Sequence, residues 1–145
     1  MEIIPPNHAI ANSVRLVAGT SSSSVLDLQV QNYGNVYEVA EESATPGIDL
    51  RVTFINILRF SKVGFAAYYN GRSNHYVQMQ MFNFVTHLWE TYFTLGLSSG
   101  MSYQYFDVPA FGKHIKAGEV WMRFLHPARG IVPGRTYIDY VALVR

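Results

Sequence analysis

The segment His75–Leu95, HYVQMQMFNFVTHLWETYFTL, restricts what this chain can fold into more than any other stretch of it. Glu90 is its one acidic or basic residue, so a membrane helix, a buried helix and a pair of strands are all to be weighed. A membrane helix requires roughly 20 mostly apolar residues, whereas polar side chains are spread along this segment: Gln78, Gln80, Asn83, Thr86 and His87. Burying these side chains in lipid would be costly. We therefore predict that the segment does not cross a membrane.

Apolar residues fall on alternate positions in both halves of this segment, as in a strand with one buried face. Met81, Val85 and Leu88 also fall at helical spacing, but the enrichment in aromatic and β-branched residues favours strands. We predict two consecutive antiparallel strands, over 75–82 and 88–95, joined by a turn at the sequence NFVT.

Similar short apolar runs recur along the rest of the chain, separated by clusters of glycine, proline, asparagine and serine. These clusters read TPG, NGRSN, GLSSG, FGKHIKAG and PARGIVPGR, and such residues end strands and form turns. A serine-led helical turn is predicted within residues 23–34. Further strands are predicted at 51–57, 63–69, 101–108, 119–127 and 135–144.

This rhythm of strands and turns predicts an all-β fold, an antiparallel β-sandwich of the jelly-roll type. The chain has 145 residues, enough for one domain with its own core. We assign residues 13–145 to that single domain and residues 1–12, which contain two prolines, to an N-terminal arm.

Composition and charge exclude several functional classes. Charged residues make up 14% of the chain, against roughly 25% in an average soluble domain. The net charge is +1 and the basic residues form no run, so nucleic acid is not a predicted partner. The absence of cysteine excludes disulfides, thiolate metal sites and thiol nucleophiles. So few charges indicate a chain that buries surface on several sides, as a subunit of an oligomer does.

Residues that could carry enzyme chemistry lack the spacing that such chemistry uses. No nucleophile elbow or phosphate-binding loop is present, and the acidic run EVAEES is interpreted as a solvated strand end. No two histidines stand at the spacing of a strand or helix metal motif. We therefore predict no catalytic residue, no cofactor and no metal site, although four histidines lie in the predicted domain: His75, His87, His114 and His126.

Aromatic and polar residues after the predicted strand 63–69 suggest a binding role instead. Sugars stack an apolar ring face on exposed tryptophan or tyrosine, while amides and guanidinium groups bind the hydroxyls. The candidate glycan-binding residues are Tyr69, Asn70, Arg72, Asn74 and His75.

Two tryptophans and one carboxylate are given structural interpretations. Trp89 and Trp121 stand among apolar residues near strand starts, so we interpret them as core or interface residues. Asp139 lies in an apolar final strand and needs a partner there. We expect that partner to be Arg123.

Two long patterns carry a resemblance to a known family. One runs from Tyr69 to Trp89 and the other comprises VWMRFLHP and TYIDYV near the end of the chain. Together they resemble a jelly-roll domain of tailed-phage structural proteins, which is itself similar to galactose-binding-like and carbohydrate-binding-module sandwiches. The residues that match this pattern are Tyr69, Gly71, His75, Tyr76, Val77, Asn83, Thr86, Trp89, Arg123, Phe124, His126, Tyr137, Ile138, Asp139, Tyr140 and Val141.

The resemblance implies a bacteriophage virion structural protein, most similar to a capsid decoration or cement protein. We expect such a protein to be assembled in the host cytoplasm, to form a homo-oligomer, with a trimer favoured, and to bind the major capsid protein. By analogy with carbohydrate-binding sandwiches, a structural cation near Glu41 and Glu42 is a further alternative. The candidate interface residues are Ile3, Ile4, Pro5, Pro6, Tyr76, Gln78, Gln80 and Phe82.

The alternative function is a glycan-binding module that attaches a phage tail or fibre to the host surface. In that case host glycans are the partner and the loop Tyr69–His75 is the site. The two functions are compatible, because a decoration protein with a lectin-like sandwich could bind both the shell and the host.

Overall fold

The structure is a computed structural model, and it describes residues 7–29, 36–97, 100–101, 103–131 and 134–145. These residues form ten β-strands, one short α-helix and one 3-10 helix at Phe111–His114. The strands and the helix are β1 His8–Ile10, β2 Ser13–Ala18, α1 Leu26–Gln29, β3 Tyr37–Ala40, β4 Ile48–Phe54, β5 Lys62–Asn70, β6 Val77–Asn83, β7 Leu88–Leu95, β8 Tyr103–Asp107, β9 Val120–His126 and β10 Arg135–Val144.

The strands form two antiparallel sheets that face each other. The first sheet has the order β1-β10-β5-β8, and β3 pairs with β10 at the opposite end from β1. The second sheet has the order β2-β4-β9-β6-β7. Apart from the consecutive pair β6 and β7, strands that are neighbours in the sheets come from distant parts of the chain, as in a jelly roll. The predicted antiparallel β-sandwich is confirmed.

The core lies between the sheets because each strand alternates buried and outward side chains. In β9, Val120, Met122 and Phe124 are fully buried, while Trp121 and Arg123 face outward. Phe65 joins the two sheets: it lies on β5 of the first sheet, and its ring meets that of Phe93 on β7 of the second sheet at 4.9 Å.

The strands predicted from the hydrophobic pattern are found, with small shifts at their ends. The predicted strand 51–57 begins earlier, at Ile48, and ends at Phe54. It ends there because Asn56 has a φ of 60°, a left-handed conformation that asparagine accepts more readily than most residues and that a strand does not contain.

The turn between β6 and β7 is the one predicted at NFVT. Asn83 at the end of β6 accepts hydrogen bonds through its side-chain oxygen from the backbone N–H groups of Val85, at 2.8 Å, and Thr86, at 3.1 Å. Asparagine stabilises turns in this way because its side chain imitates a backbone acceptor. The turn makes β6 and β7 neighbours and fixes their register.

The predicted helical turn is present as α1, and Asp27 stabilises its start. The backbone N–H of Ser24 donates to the Asp27 carboxylate at 3.0 Å, the arrangement of a capping box. Residues 30–34 of the predicted helical segment lie outside the described residues.

The predicted N-terminal arm meets the sandwich earlier than expected. Residues 8–10 form β1, which pairs with β10 at the end of the chain. Residues 1–6, with the predicted interface residues Ile3, Ile4, Pro5 and Pro6, lie outside the described residues. In the described part of the chain, no helix is both long and apolar enough to cross a membrane.

Candidate functional site

Long polar and aromatic side chains cover the outward side of the second sheet. One row crosses it from β2 to β7, because the strand register aligns Arg15 with Arg51, Arg51 with Arg123, Arg123 with Gln80, and Gln80 with Thr91. A second row lies beside it, where Thr53 is aligned with Trp121 and Phe82 with Trp89. We call this surface the Trp–Arg face and define it by Arg15, Asp49, Arg51, Gln80, Phe82, Trp89, Trp121 and Arg123.

A carboxylate and an amide hold the arginines of the Trp–Arg face in place. Asp49, whose side chain is 5% exposed, accepts two hydrogen bonds from Arg51, at 3.3 and 3.1 Å, and lies 3.7 Å from the Arg123 guanidinium. Arg123 also donates to the Gln80 side-chain oxygen at 2.6 Å. Burial lowers the pKa of Arg123, and the charge of Asp49 opposes that effect. The guanidinium groups are therefore fixed before any ligand arrives.

The aromatic residues of the face form a connected layer. The Arg123 guanidinium lies 4.5 Å from the centre of the Trp89 ring, a cation–π contact. Phe82 lies between the two indoles, 5.2 Å from Trp89 and 5.3 Å from Trp121. Trp121 is 38% exposed, and its indole N–H donates to Glu119 at 3.1 Å. The exposed Trp121 indole is thus held in a fixed orientation beside the Glu119 carboxylate.

Two adjoining clefts follow this surface. The first, of about 330 Å³, runs from Arg15 on β2 to Trp89 on β7 and is lined by Arg51 and Trp121 on the way. The second, of about 300 Å³, continues past Phe84 toward Lys116. Both clefts include Phe82, Glu119 and Trp121. Because the two clefts share these residues, they form one groove with the Trp121 indole at its middle.

The two tryptophans are therefore not core residues, and that part of their interpretation was wrong. Both indoles lie on the outward side of the second sheet, where Trp121 faces solvent. Sequence alternation could have shown this, since Trp121 and Arg123 share one face of β9 while Met122 and Phe124 share the other.

The members of the predicted glycan loop lie in different surroundings, although Arg72 and His75 share a cleft. Asn70 and Arg72 line one cleft, of about 310 Å³, and Asn74 is exposed. The prediction that Tyr69 binds a glycan is wrong, because Tyr69 has no exposed surface and its ring cannot stack on a sugar. Its hydroxyl donates to Glu41 at 2.9 Å, and burial, followed by that bond, raises the pKa of Tyr69. For Asn70, Arg72, Asn74 and His75, glycan binding stays a prediction.

His75 belongs to a different group of side chains at this end of the sandwich. One possible ligand atom each of Glu41, His75 and His126 lies within 4.8 Å of the others. Glu41 is 2% exposed and His126 is fully buried, and the His126 Nε2 atom lies 3.2 Å from a Glu41 carboxylate oxygen. The sequence spacing gave no sign of this group, because its members lie far apart in the chain.

The predicted interface residues of β6 lie on the outward side of the second sheet, where Gln80 and Phe82 belong to the Trp–Arg face. Gln78, Gln80 and Phe82 point outward, opposite to the buried Val77 and Met79, as the alternation indicated. Although Gln80 points outward, it is only 7% exposed, because Arg123 and Thr91 cover it. Tyr76 precedes the strand and is 40% exposed. Their role in subunit contacts stays a prediction.

The expected pair between Asp139 and Arg123 is not formed. Arg123 is on the outward side of the second sheet and contacts Asp49 and Gln80. Asp139 is buried on β10 of the first sheet. The prediction was wrong because Arg123 points away from the first sheet, to which β10 belongs.

Among the remaining histidines, His114 is a structural residue and His87 is exposed in the β6–β7 turn. The His114 Nδ1–H donates to the Phe82 carbonyl at 2.9 Å, and Nε2 accepts from the Tyr92 hydroxyl at 2.7 Å. This assignment follows because a carbonyl can only accept. Burial lowers the pKa of His114 from its ordinary value of 6.5.

We expect His114 to make the protein less stable as the pH falls from 7.5 to about 5.5. Since its folded-state pKa is lowered, its contribution is complete above the unfolded-state pKa of 6.5 and is lost as the pH falls toward the folded-state value. Urea denaturation at several pH values should show a weaker pH dependence for His114→Asn, whose amide can still donate to the Phe82 carbonyl. Equal pH dependence in both proteins would contradict the prediction.

No protein-family model and no curated protein matches the sequence. Solved structures do match the fold. A mutant family 29 carbohydrate-binding module in complex with cellulohexaose has a TM-score of 0.59 at 13% identity, covering 97% of this chain and 82% of that one.

Two more structures of the same kind show the same likeness. A mutant family 29 module in complex with mannohexaose has a TM-score of 0.57 at 13% identity, covering 99% of this chain and 84% of that chain. A structure described as a family 29 carbohydrate-binding module has a TM-score of 0.52 at 14% identity, covering 97% of this chain and 80% of that one. This chain therefore has the β-sandwich fold of carbohydrate-binding modules.

Proposed function

We propose that this protein binds glycans and that the Trp–Arg face is its binding surface. The observation that carries the proposal is the groove across the second sheet, in which the exposed Trp121 indole lies between two clefts. An indole face stacks on the apolar face of a sugar ring. The expected ligand is an unbranched chain of hexoses.

The polar residues of the groove suit a ligand rich in hydroxyl groups. Arg15 and Arg51 are at the surface with N–H donors available to solvent, and Glu119 supplies carboxylate acceptors. Asp49 holds the Arg51 guanidinium at two points, so little side-chain freedom is lost when a hydroxyl binds to it.

The fold likeness supports the same function. The similar structures are carbohydrate-binding modules, and two of them are complexes with hexose oligosaccharides. Of the two functions expected from the sequence, glycan binding has this support. The capsid decoration role, the trimer, the capsid protein as partner and the virion location stay predictions.

The proposal is tested by titrating the protein with cellulohexaose and mannohexaose in a calorimeter and by screening it on a glycan array. Trp121→Ala is expected to weaken binding by about 30-fold, because truncating a central aromatic anchor costs about 2 kcal/mol. Tyr105→Ala is the matched control: Tyr105 is 50% exposed on the first sheet, away from the groove. It should bind as the unchanged protein does.

Two results would overturn the proposal. If the protein binds neither hexasaccharide and no glycan on the array, it is not a glycan-binding module. If it binds glycans and Trp121→Ala binds equally well, the Trp–Arg face is not the site. In the second case the same titration with Arg72→Ala would test the loop Tyr69–His75.

A further inference from the structure

We propose that Glu41, His75 and His126 bind a divalent transition-metal ion, with Zn²⁺ the expected one. Glu41 directly follows β3, His75 lies between β5 and β6, and His126 ends β9. The sandwich therefore brings three donors from separate segments and from both sheets to one end of the molecule. This site is separate from the Trp–Arg face, and its test does not depend on glycan binding.

The hydrogen bonding of His126 leaves a lone pair facing a carboxylate. His126 Nδ1 lies 3.0 Å from the Ala128 carbonyl oxygen, which can only accept, so the proton is on Nδ1. In the neutral ring Nε2 is then an acceptor, and it lies 3.2 Å from the Glu41 Oε1 atom and 3.4 Å from the Tyr69 hydroxyl. Nε2 and Oε1 repel each other at this distance unless a proton on Nε2 or a metal cation lies between them. A backbone carbonyl that binds the second ring nitrogen is also the usual support of a metal-binding histidine.

The Glu41 carboxylate is held in place by its surroundings. Oε1 accepts from the Ile131 backbone N–H at 3.0 Å, and Oε2 accepts from the Tyr69 hydroxyl at 2.9 Å. Gly71 and Gly134 lie so close that a Cβ atom on either one would overlap the Glu41–Tyr69 pair. The carboxylate is therefore oriented toward His126 without a ligand.

His75 is the third donor, and it is available. Its Nδ1 atom is buried and has no hydrogen-bond partner among the described residues, and its ring lies edge-on to that of His126 at 5.0 Å. With Zn–N distances of about 2.0–2.1 Å, ligand atoms in a tetrahedral site are roughly 3.3 Å apart. Glu41 and His126 already have that spacing, and a rotation of the half-buried His75 side chain completes the set.

The chemistry of the donors selects the class of metal. Two imidazoles and one carboxylate suit Zn²⁺ and its neighbours in the first transition row. Ca²⁺ takes six to eight oxygen ligands, which these residues do not supply. A cleft of about 500 Å³ reaches one of the three donors: His75 lines it, together with Ile131, whose backbone N–H donates to Glu41. Arg72 and Arg129 also line it, but both are exposed, so water screens their charge.

The test is a titration of the untagged, chelator-treated protein with Zn²⁺ and, separately, with Ca²⁺. Calorimetry measures the binding, and the thermal unfolding midpoint with and without the ion measures the stabilisation. One Zn²⁺ per chain is expected to bind and to raise the midpoint, because a ligand of the folded state stabilises it. Ca²⁺ should do neither. Co²⁺ bound in place of Zn²⁺ should give the strong visible absorption of a tetrahedral site.

A matched pair of variants assigns the site. His75→Asn should weaken Zn²⁺ binding by about tenfold or more, whereas His87→Asn, in the exposed turn after β6, should bind Zn²⁺ as the unchanged protein does. Both variants should keep the far-ultraviolet circular dichroism of the parent. Absence of Zn²⁺ binding to the parent, or equal affinity in both variants, would overturn the proposal.

Discussion

Phe65→Ala is expected to destabilise the protein by about 3–5 kcal/mol, the usual range for deleting a buried phenylalanine. Phe65 has no exposed surface. Its ring lies 4.9 Å from Phe93 across the sandwich and 6.1 Å from Phe106 on the neighbouring strand. Truncation removes the contact between the sheets and leaves a cavity that the β-ladders on both sides prevent from closing. Urea denaturation with a common m-value measures the loss.

Leu58→Ala is the control for Phe65→Ala. Leu58 is 91% exposed, so its truncation should change the free energy of unfolding by less than about 0.5 kcal/mol. A loss below about 1 kcal/mol for Phe65→Ala would contradict the packing of the two sheets through this ring.

Most of the strands could be predicted from the sequence because two independent signals mark them. The bounds predicted for β7 and β10 agree with the structure, where apolar alternation and turn residues coincide. β1 and β2 were not predicted. β1 has three residues, too few to show an alternation, and β2 is an edge strand whose outward positions are exposed. Short edge strands depend on their partner for pairing more than on their own pattern.

The candidate site could be predicted only in pieces. Alternation alone placed Trp121 with Arg123 on one side of β9, and Gln80 with Phe82 on one side of β6. The groove exists because β9 lies between β4 and β6, and that order depends on long-range pairing that no local pattern specifies. The cluster of Glu41, His75 and His126 also depends on long-range pairing, since its three donors meet only after the two sheets have packed.

Asp49→Ala is expected to destabilise the protein by about 2–3 kcal/mol. Removing one partner of a fully buried ion pair costs about 3–5 kcal/mol, and the loss is smaller here because the Arg51 side chain is 38% exposed. The variant leaves Arg51 aligned with Arg123 on adjacent strands, and like charges that face each other across a ladder repel. The midpoint of urea denaturation at low salt measures the effect.

Two comparisons, one with added salt and one with an exposed ion pair, distinguish this electrostatic effect from a general loss of packing. Added salt screens the repulsion between the two guanidinium groups, so the deficit of Asp49→Ala should shrink at 1 M NaCl (an ionic strength at which the screening length is about 3 Å). Asp107→Ala is the matched control: its side chain is 78% exposed and lies 3.9 Å from Lys62, so a change below about 0.5 kcal/mol is expected. Equal losses in the two variants, or a deficit that salt leaves unchanged, would mean that Asp49 does not hold the arginines of the Trp–Arg face by its charge. The arginine N–H donors proposed to bind glycan hydroxyls would then have to be held in place by something other than Asp49.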